Sequence, residues 1–243
     1  MFTLFKKEIR AFLSSLIGYI AISVFLLLVG LFLWILPTDS NILSNGYAGL
    51  DSLFEMAPLV FLILIPAITM RSFADEKKTG TIEFLLTKPL TDLQIILAKY
   101  FAGVTLVLFS LLPTLIYYYS IYKLGNPVGN IDSGGTWGSY IGLFFLASAF
   151  TAIGIFASSL SDNQIIAFLL AIFLCFFFYI GFEKISELSL FGKVDDFIIS
   201  LGINDHYASM SRGVVDTRDV VYYLSLTVIF ILITKTKLES RKW

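Results

Sequence analysis

The spacing of its charges limits most what this chain can fold into. Six stretches, 16–36, 56–70, 100–122, 137–160, 163–182 and 220–234, contain no Asp, Glu, Lys, Arg or His. A charge at the centre of a bilayer costs about 2.5 to 3.5 kcal/mol on the insertion scale, and roughly 20 apolar residues cross a hydrocarbon layer about 30 Å thick. Four of the stretches meet that length, while 56–70 and 220–234 have only 15 residues each. Arg71 and Lys235 can extend those two by laying their alkyl stems along the helix and placing their charges among the headgroups. Composition agrees, since 57% hydrophobic and 14% charged residues with a mean hydropathy of +0.85 leave little material for a soluble domain among the 243 residues. The expectation is an all-α integral membrane protein, a single transmembrane domain over 1–243 with six spanning helices.

Basic residues orient the spans. With the N-terminus inside, Lys6, Lys7, Arg10, Arg71, Lys77, Lys78, Lys88, Lys99, Lys235, Lys237, Arg241 and Lys242 fall on the inner side, which takes 12 of the 17 basic residues. Lys123, Lys184, Lys193, Arg212 and Arg218 fall outside, as the positive-inside rule requires. An aromatic belt is expected at the outer ends from Trp34, Tyr117, Tyr118, Tyr119, Tyr122, Trp137, Tyr222 and Tyr223. Both termini are therefore expected in the cytoplasm. The apolar run after Arg10 is too long for a signal-peptide core, and no small-x-small cleavage pattern closes it.

Residues 1–15 carry a different pattern. Phe2, Phe5, Ile9, Phe12, Leu13 and Leu16 share one arc at helical spacing, and Thr3, Lys6, Lys7, Arg10 and Ser14 share another. A basic amphipathic helix lying in the headgroup plane fits that pattern, and so does a plain extension of the first span.

Enzyme and ion-carrier chemistry is poorly supplied. No Asp, Glu, Lys, Arg or His falls inside the six stretches, whereas intramembrane catalysis and proton relays draw on such residues. The one histidine, His206, reads as a surface imidazole of the outer segment 183–218. The one cysteine, Cys175, has no intrachain partner, and no spacing of metal ligands occurs. The sequence has neither H-E-x-x-H nor G-x-S-x-G, and the sole Gly-Lys pair, Gly192-Lys193, lacks the rest of a phosphate loop. Uphill work by this chain would need energy from another polypeptide, delivered at a cytoplasmic surface.

The sizeable cytoplasmic segment is 71–99. Asp75-Glu76-Lys77-Lys78-Thr79-Gly80-Thr81 reads as a charged turn, and Ile82-Glu83-Phe84-Leu85-Leu86 as a short helix stopped by Lys88-Pro89. Thr91 and Gln94 have the spacing of a capping box for the helix that enters the third span. Taken alone, this is a helix-turn-helix connector. The run Glu76 to Leu90, with its Gly80-Thr81 pair, Glu83, Leu85-Leu86 and Pro89, and with Lys99 ten residues further on, resembles the cytoplasmic signature of the ABC type-2 transporter permeases. The outer stretch His206 to Tyr223 is similar to a narrower branch, the gliding-motility-associated permease subunits (GldF-like).

The resemblance implies a permease subunit of an ATP-driven exporter, linked to gliding. It makes 1–15 an elbow helix, with Phe2, Phe5, Lys6, Lys7, Ile9, Arg10 and Phe12 at the interface. It makes 71–99 a coupling loop in which Glu76, Gly80, Thr81, Ile82, Glu83, Phe84, Leu85, Leu86 and Pro89 dock an ATPase. The partners implied are a separate nucleotide-binding ATPase, a second permease subunit (identical or related) and membrane lipids, with no nucleic acid. The chain itself is expected to bind no cofactor or metal, ATP and magnesium belonging to the ATPase. The alternatives are a structural subunit that anchors a motility apparatus without transporting, and an intramembrane enzyme. Pro66 and Pro113 are expected to kink the second and third spans, and Gly138, Gly142 and Gly154 to give close helix contact, within the chain or at a dimer seam.

Overall fold

The computed structural model describes residues 1–44, 46–87, 89–187, 192 and 195–240, and among them the secondary structure is helical with no strand. Lys88, Lys193, Arg241 and Lys242, four of the cations used above, lie outside the described residues. Six helices are long and apolar enough to cross a membrane: Leu16–Ile35, Asp51–Lys78, Asp92–Leu124, Ser133–Leu160, Gln164–Glu187 and Thr217–Glu239. The two stretches that looked short are cores of helices 28 and 23 residues long. Arg71 does not end the second span, because it pairs with Asp75 and Gln164, and Lys235 does not end the sixth, because it pairs with Glu239 one turn on.

The first helix, α1 (Phe2–Leu13), is separate from the span that follows. Ser15 is extended (φ −93°, ψ 141°), and its hydroxyl accepts the Gly18 N–H at 3.1 Å, capping α2 (Leu16–Gly30). A π-helical turn, Leu31–Ile35, completes the first span. The second span is α3 (Asp51–Thr69), which stays helical through Pro58 and Pro66, and α4 (Arg71–Lys78), which prolongs it. Asp75 to Lys78 are thus helical, and the turn expected over 75–81 shrinks to Thr79 and Gly80. Gly80 has φ +69° and opens α5 (Thr81–Leu86) from the left-handed region that glycine enters without a Cβ penalty.

The expected capping box forms at α6 (Asp92–Leu111): Thr91 Oγ1 accepts the Gln94 N–H, and Gln94 accepts the Thr91 N–H. Pro113 breaks the third span with a 3₁₀ turn, Leu112–Thr114, before α7 (Leu115–Leu124). The remaining spans are α8 (Ser133–Leu160), then α9 (Gln164–Phe176) continued through a π turn into α10 (Phe182–Glu187), and α13 (Thr217–Glu239). Between the last two lie α11 (Asp195–Ile199) and α12 (Ile203–Met210).

The α8 span is the centre of the bundle. Of its most apolar stretch 78% is buried, against 22% for the first and fifth spans, and it packs on α3, α6, α9, α12 and α13. The small residues on α8 make this possible. A Cβ on Gly154 would sit 2.1 Å from Thr69 Oγ1 of α3, one on Gly142 2.6 Å from Met210 Cβ, and one on Gly138 2.2 Å from the Gly213 carbonyl oxygen. These contacts place the glycines in packing within the chain rather than at a dimer seam. Gly138→Ala should therefore destabilise by about 1 to 3 kcal/mol, because the atom it meets is backbone and cannot rotate away. Thermal unfolding in detergent checks this, with Gly134→Ala as a control at an exposed position of α8 where a Cβ meets nothing closer than 3.5 Å.

The outer segment folds back onto the bundle. Ile203, Tyr207 and Met210 of α12 are buried, Tyr207 donates its hydroxyl to the Phe54 carbonyl (2.7 Å) and Tyr223 donates to the Ile203 carbonyl (3.2 Å). Tyr223 is fully buried, so it belongs to the core and not to an aromatic belt. His206 is not a lone surface imidazole either. Its Nδ1 is 2.7 Å from Asp219 Oδ1, its Nε2 is 2.9 Å from the Ser200 carbonyl, and its ring stacks on Tyr222 at 3.9 Å. Ser209 donates to the other oxygen of Asp219 at 2.6 Å. This is a clamp holding α12 to α13. A nucleophilic triad needs the serine on the imidazole, and here it is on the carboxylate.

Candidate functional site

The distinctive chemistry of the bundle sits where α1, α4, α5 and the first turns of α6 meet. Glu76, on the last full turn of α4, is only 8% exposed. Lys99, two turns into α6, is 2% exposed. The Lys99 ammonium lies 3.0 Å from Glu76 Oε2 and 3.0 Å from Glu8 Oε1, and Lys7 reaches Glu76 Oε1 at 3.1 Å. The Phe73 ring, 5.1 Å away, covers another side of that ammonium. Two cations and two carboxylates from three helices thus balance in a partly dry cluster beside a cavity of about 180 Å³. Burial pulls the Lys7 pKa down, but the hydrogen bond and charge of Glu76, backed by Glu8, outweigh this and raise it from the usual 10.5. A lysine raised on folding contributes stability at all pH values below its unfolded pKa and loses it only as pH climbs through the folded one, so the Lys7 ammonium keeps its charge across the neutral range.

This corrects one expectation. Glu76 was expected among the residues that dock an ATPase, and its carboxylate is instead turned inward onto Lys7 and Lys99. Glu8, the fourth member, was missed. Its signal is present in retrospect, since Glu8 lies between Leu4 (6% exposed) and Phe12 (9% exposed) at i, i+4 spacing on the face that packs on α6. Of the other elbow residues, Phe5 and Ile9 are half-buried, while Phe2, Lys6, Lys7 and Arg10 are exposed.

Two further attachments hold α4. Ser158 Oγ of α8 accepts the Phe73 and Ala74 N–H groups (3.0 and 3.2 Å) and donates to the Met70 carbonyl (2.9 Å), which satisfies donors that a helix start leaves open. Lys77 donates to the Ser159 carbonyl. On the α9 side, Gln164 donates to Asp75 and accepts from Arg71 Nε at 3.3 Å. Hence α4 is tied to α1 and α6 through Glu76, to α8 through Ser158 and to α9 through Asp75.

By contrast, α5 is held by one face. Ile82 is 7% exposed and Leu85 is half-buried against the core, whereas Phe84 is 73% exposed and Thr81, Glu83 and Pro89 also face out. At 100° per residue Ile82 and Leu85 share a side and Phe84 falls opposite, so the expected apolar face divides into an anchor and a projecting ring. Thr81 and Thr79 join their hydroxyls at 2.9 Å across the Gly80 turn. The Leu86 side chain lies outside the described set.

A family model, ABC-2 family transporter protein, matches residues 2–236, and the chain belongs to that family. It is a multi-pass membrane protein of the type that forms the transmembrane component of an ABC transporter and associates with an ABC ATPase, not the ATPase itself. No curated protein matches the chain.

Proposed function

We propose that this chain is the permease subunit of an ATP-driven exporter, in which α5 receives the ATPase and α4 passes its movement to the spans. The observation that carries the reading is the contrast between the two helices. A six-residue helix presents an exposed Phe84 and Glu83, and directly behind it an eight-residue helix is bonded to four neighbours. Displacement of α5 would move α1, α6, α8 and α9 together. Gly80 permits the tight reversal that sets α5 against the end of α4. Cations on α1, α4 and α13 support a cytoplasmic position for both termini and for α5. The first and fifth spans, least covered by their own chain, support pairing with a second permease subunit, identical or related. The likeness of 206–223 to gliding-motility permeases supports a role in gliding.

Orientation tests the reading, since an ATPase can reach α5 only from the cytoplasm. A membrane-impermeant maleimide added to intact cells should label a cysteine at Asn130 and miss one at Lys78; the native Cys175 is buried. Labelling at position 78 without permeabilisation would put α5 on the wrong side and end the proposal.

A further inference from the structure

We propose that the groove between α1 and α2 is a binding site for one anionic phospholipid, held by its phosphate; this rests on the reading of α1 as an interfacial helix. The groove has a volume of about 580 Å³ and is lined by Lys6, Ile9, Arg10, Leu13, Ser14 and Tyr19. Charge on α1 is sorted between two sides. Glu8 and Lys7 are committed to Lys99 and Glu76, while Lys6 and Arg10, one turn apart, turn the other way. Among the described residues neither Lys6 nor Arg10 has an acidic partner, and no carboxylate lines the groove. The Lys6 ammonium rests 4.6 Å above the Phe2 ring.

The residue types fit a phosphodiester. The arginine fork can take two phosphate oxygens, the lysine adds a point charge, and the Tyr19 hydroxyl offers a further donor. Ile9 and Leu13 form an apolar floor. From the start of α2 an exposed stripe, Leu16 (75%), Ile20 (52%) and Leu27 (62%), runs past Tyr19 into the span and would take acyl chain. Phosphate at the cationic end and hydrocarbon along the stripe define a lipid, where a soluble phosphate would use only the first half. The site would fix α1 against the membrane surface while its opposite face holds α4.

Native mass spectrometry of the detergent-purified protein, titrated with phosphatidylglycerol or phosphatidylcholine, tests the assignment. Wild type should retain one phosphatidylglycerol in preference to phosphatidylcholine, and inorganic phosphate should not displace it. Lys6→Gln/Arg10→Gln should weaken retention about tenfold to thirtyfold, from roughly 1 kcal/mol per cation at an anionic surface. Tyr19→Phe, which keeps the charge and the ring, should weaken it less. Lys237→Gln, an exposed cation on α13, should have no effect. Equal loss with Lys237→Gln, no preference between the two lipids, or displacement by inorganic phosphate would each overturn the site. Phe2→Trp in phosphatidylcholine nanodiscs separates this failure from that of the underlying reading. Quenching of the added fluorescence by brominated acyl chains keeps α1 at the interface whichever lipid it selects, and its absence removes both claims.

Discussion

Lys99→Met should destabilise the protein by about 3 to 5 kcal/mol, the largest single-residue effect expected on the fold. Methionine nearly matches the volume of the lysine stem, so little packing is lost. What is lost is the charge that faces two carboxylates, Glu76 and Glu8, each 3.0 Å away. Lys7 cannot replace it, because it is 59% exposed and already bonded to Glu76. Removing one carboxylate together with the ammonium, in Lys99→Met/Glu76→Gln, should recover part of the loss, because the remaining Lys7 and Glu8 again balance. Unfolding in detergent followed by intrinsic fluorescence measures the cycle. Equal destabilisation by the single and double substitutions would mean that the cluster acts by packing and not by charge.

Phe84→Asp should have the largest effect on assembly while leaving stability almost unchanged. Phe84 is 73% exposed and lies on the side of α5 opposite to its anchor, Ile82, so its removal costs the isolated chain little. An aromatic side chain central to an interface is commonly worth 2 kcal/mol or more, about a thirtyfold change in affinity, and an aspartate adds the cost of a charge desolvated without a partner. Phe84→Leu should retain most of the binding. Ile82→Asp is the contrasting case: it should lower stability as well, since it puts a charge into the contact between α5 and the bundle.

The six spans were legible because a charge-free run of sufficient length has few alternatives in a folded protein. Their ends were not, because the sequence cannot reveal that a charge has a partner. Asp75 to Lys78 looked like a turn and is helical, held by Gln164, Ser159, Lys7 and Lys99, residues 23 to 89 positions away that only the tertiary fold brings near. Glu76 looked like a docking residue for the same reason, and Glu8 attracted no notice. Asp219 and His206 are a second case, two ordinary polar residues 13 positions apart that clamp α12 to α13. Local chemistry was more transparent. The Thr91–Gln94 capping box depends on near neighbours alone and forms as read, and the reversal at Gly80 forms too, though confined to Thr79 and Gly80. The glycines of α8 fall between these cases, since their smallness predicted close contact while only the fold could say with what. In α5 the apolar residues were recognised, but a helix of six residues buries one side and exposes the other, and that partition depends on where α4 sets it down.

The central claim is that α5 is the seat of the ATPase, and quantitative co-purification tests it most directly. Tagged wild-type chain, Phe84→Asp and Phe84→Leu would be expressed in the native cell, and the ABC ATPase recovered per mole of chain would be measured. Wild type and Phe84→Leu should carry the ATPase at comparable stoichiometry, and Phe84→Asp should lose nearly all of it at unchanged chain abundance. Wild-type recovery of the ATPase with Phe84→Asp would contradict the account and reduce α5 to a connector between two spans.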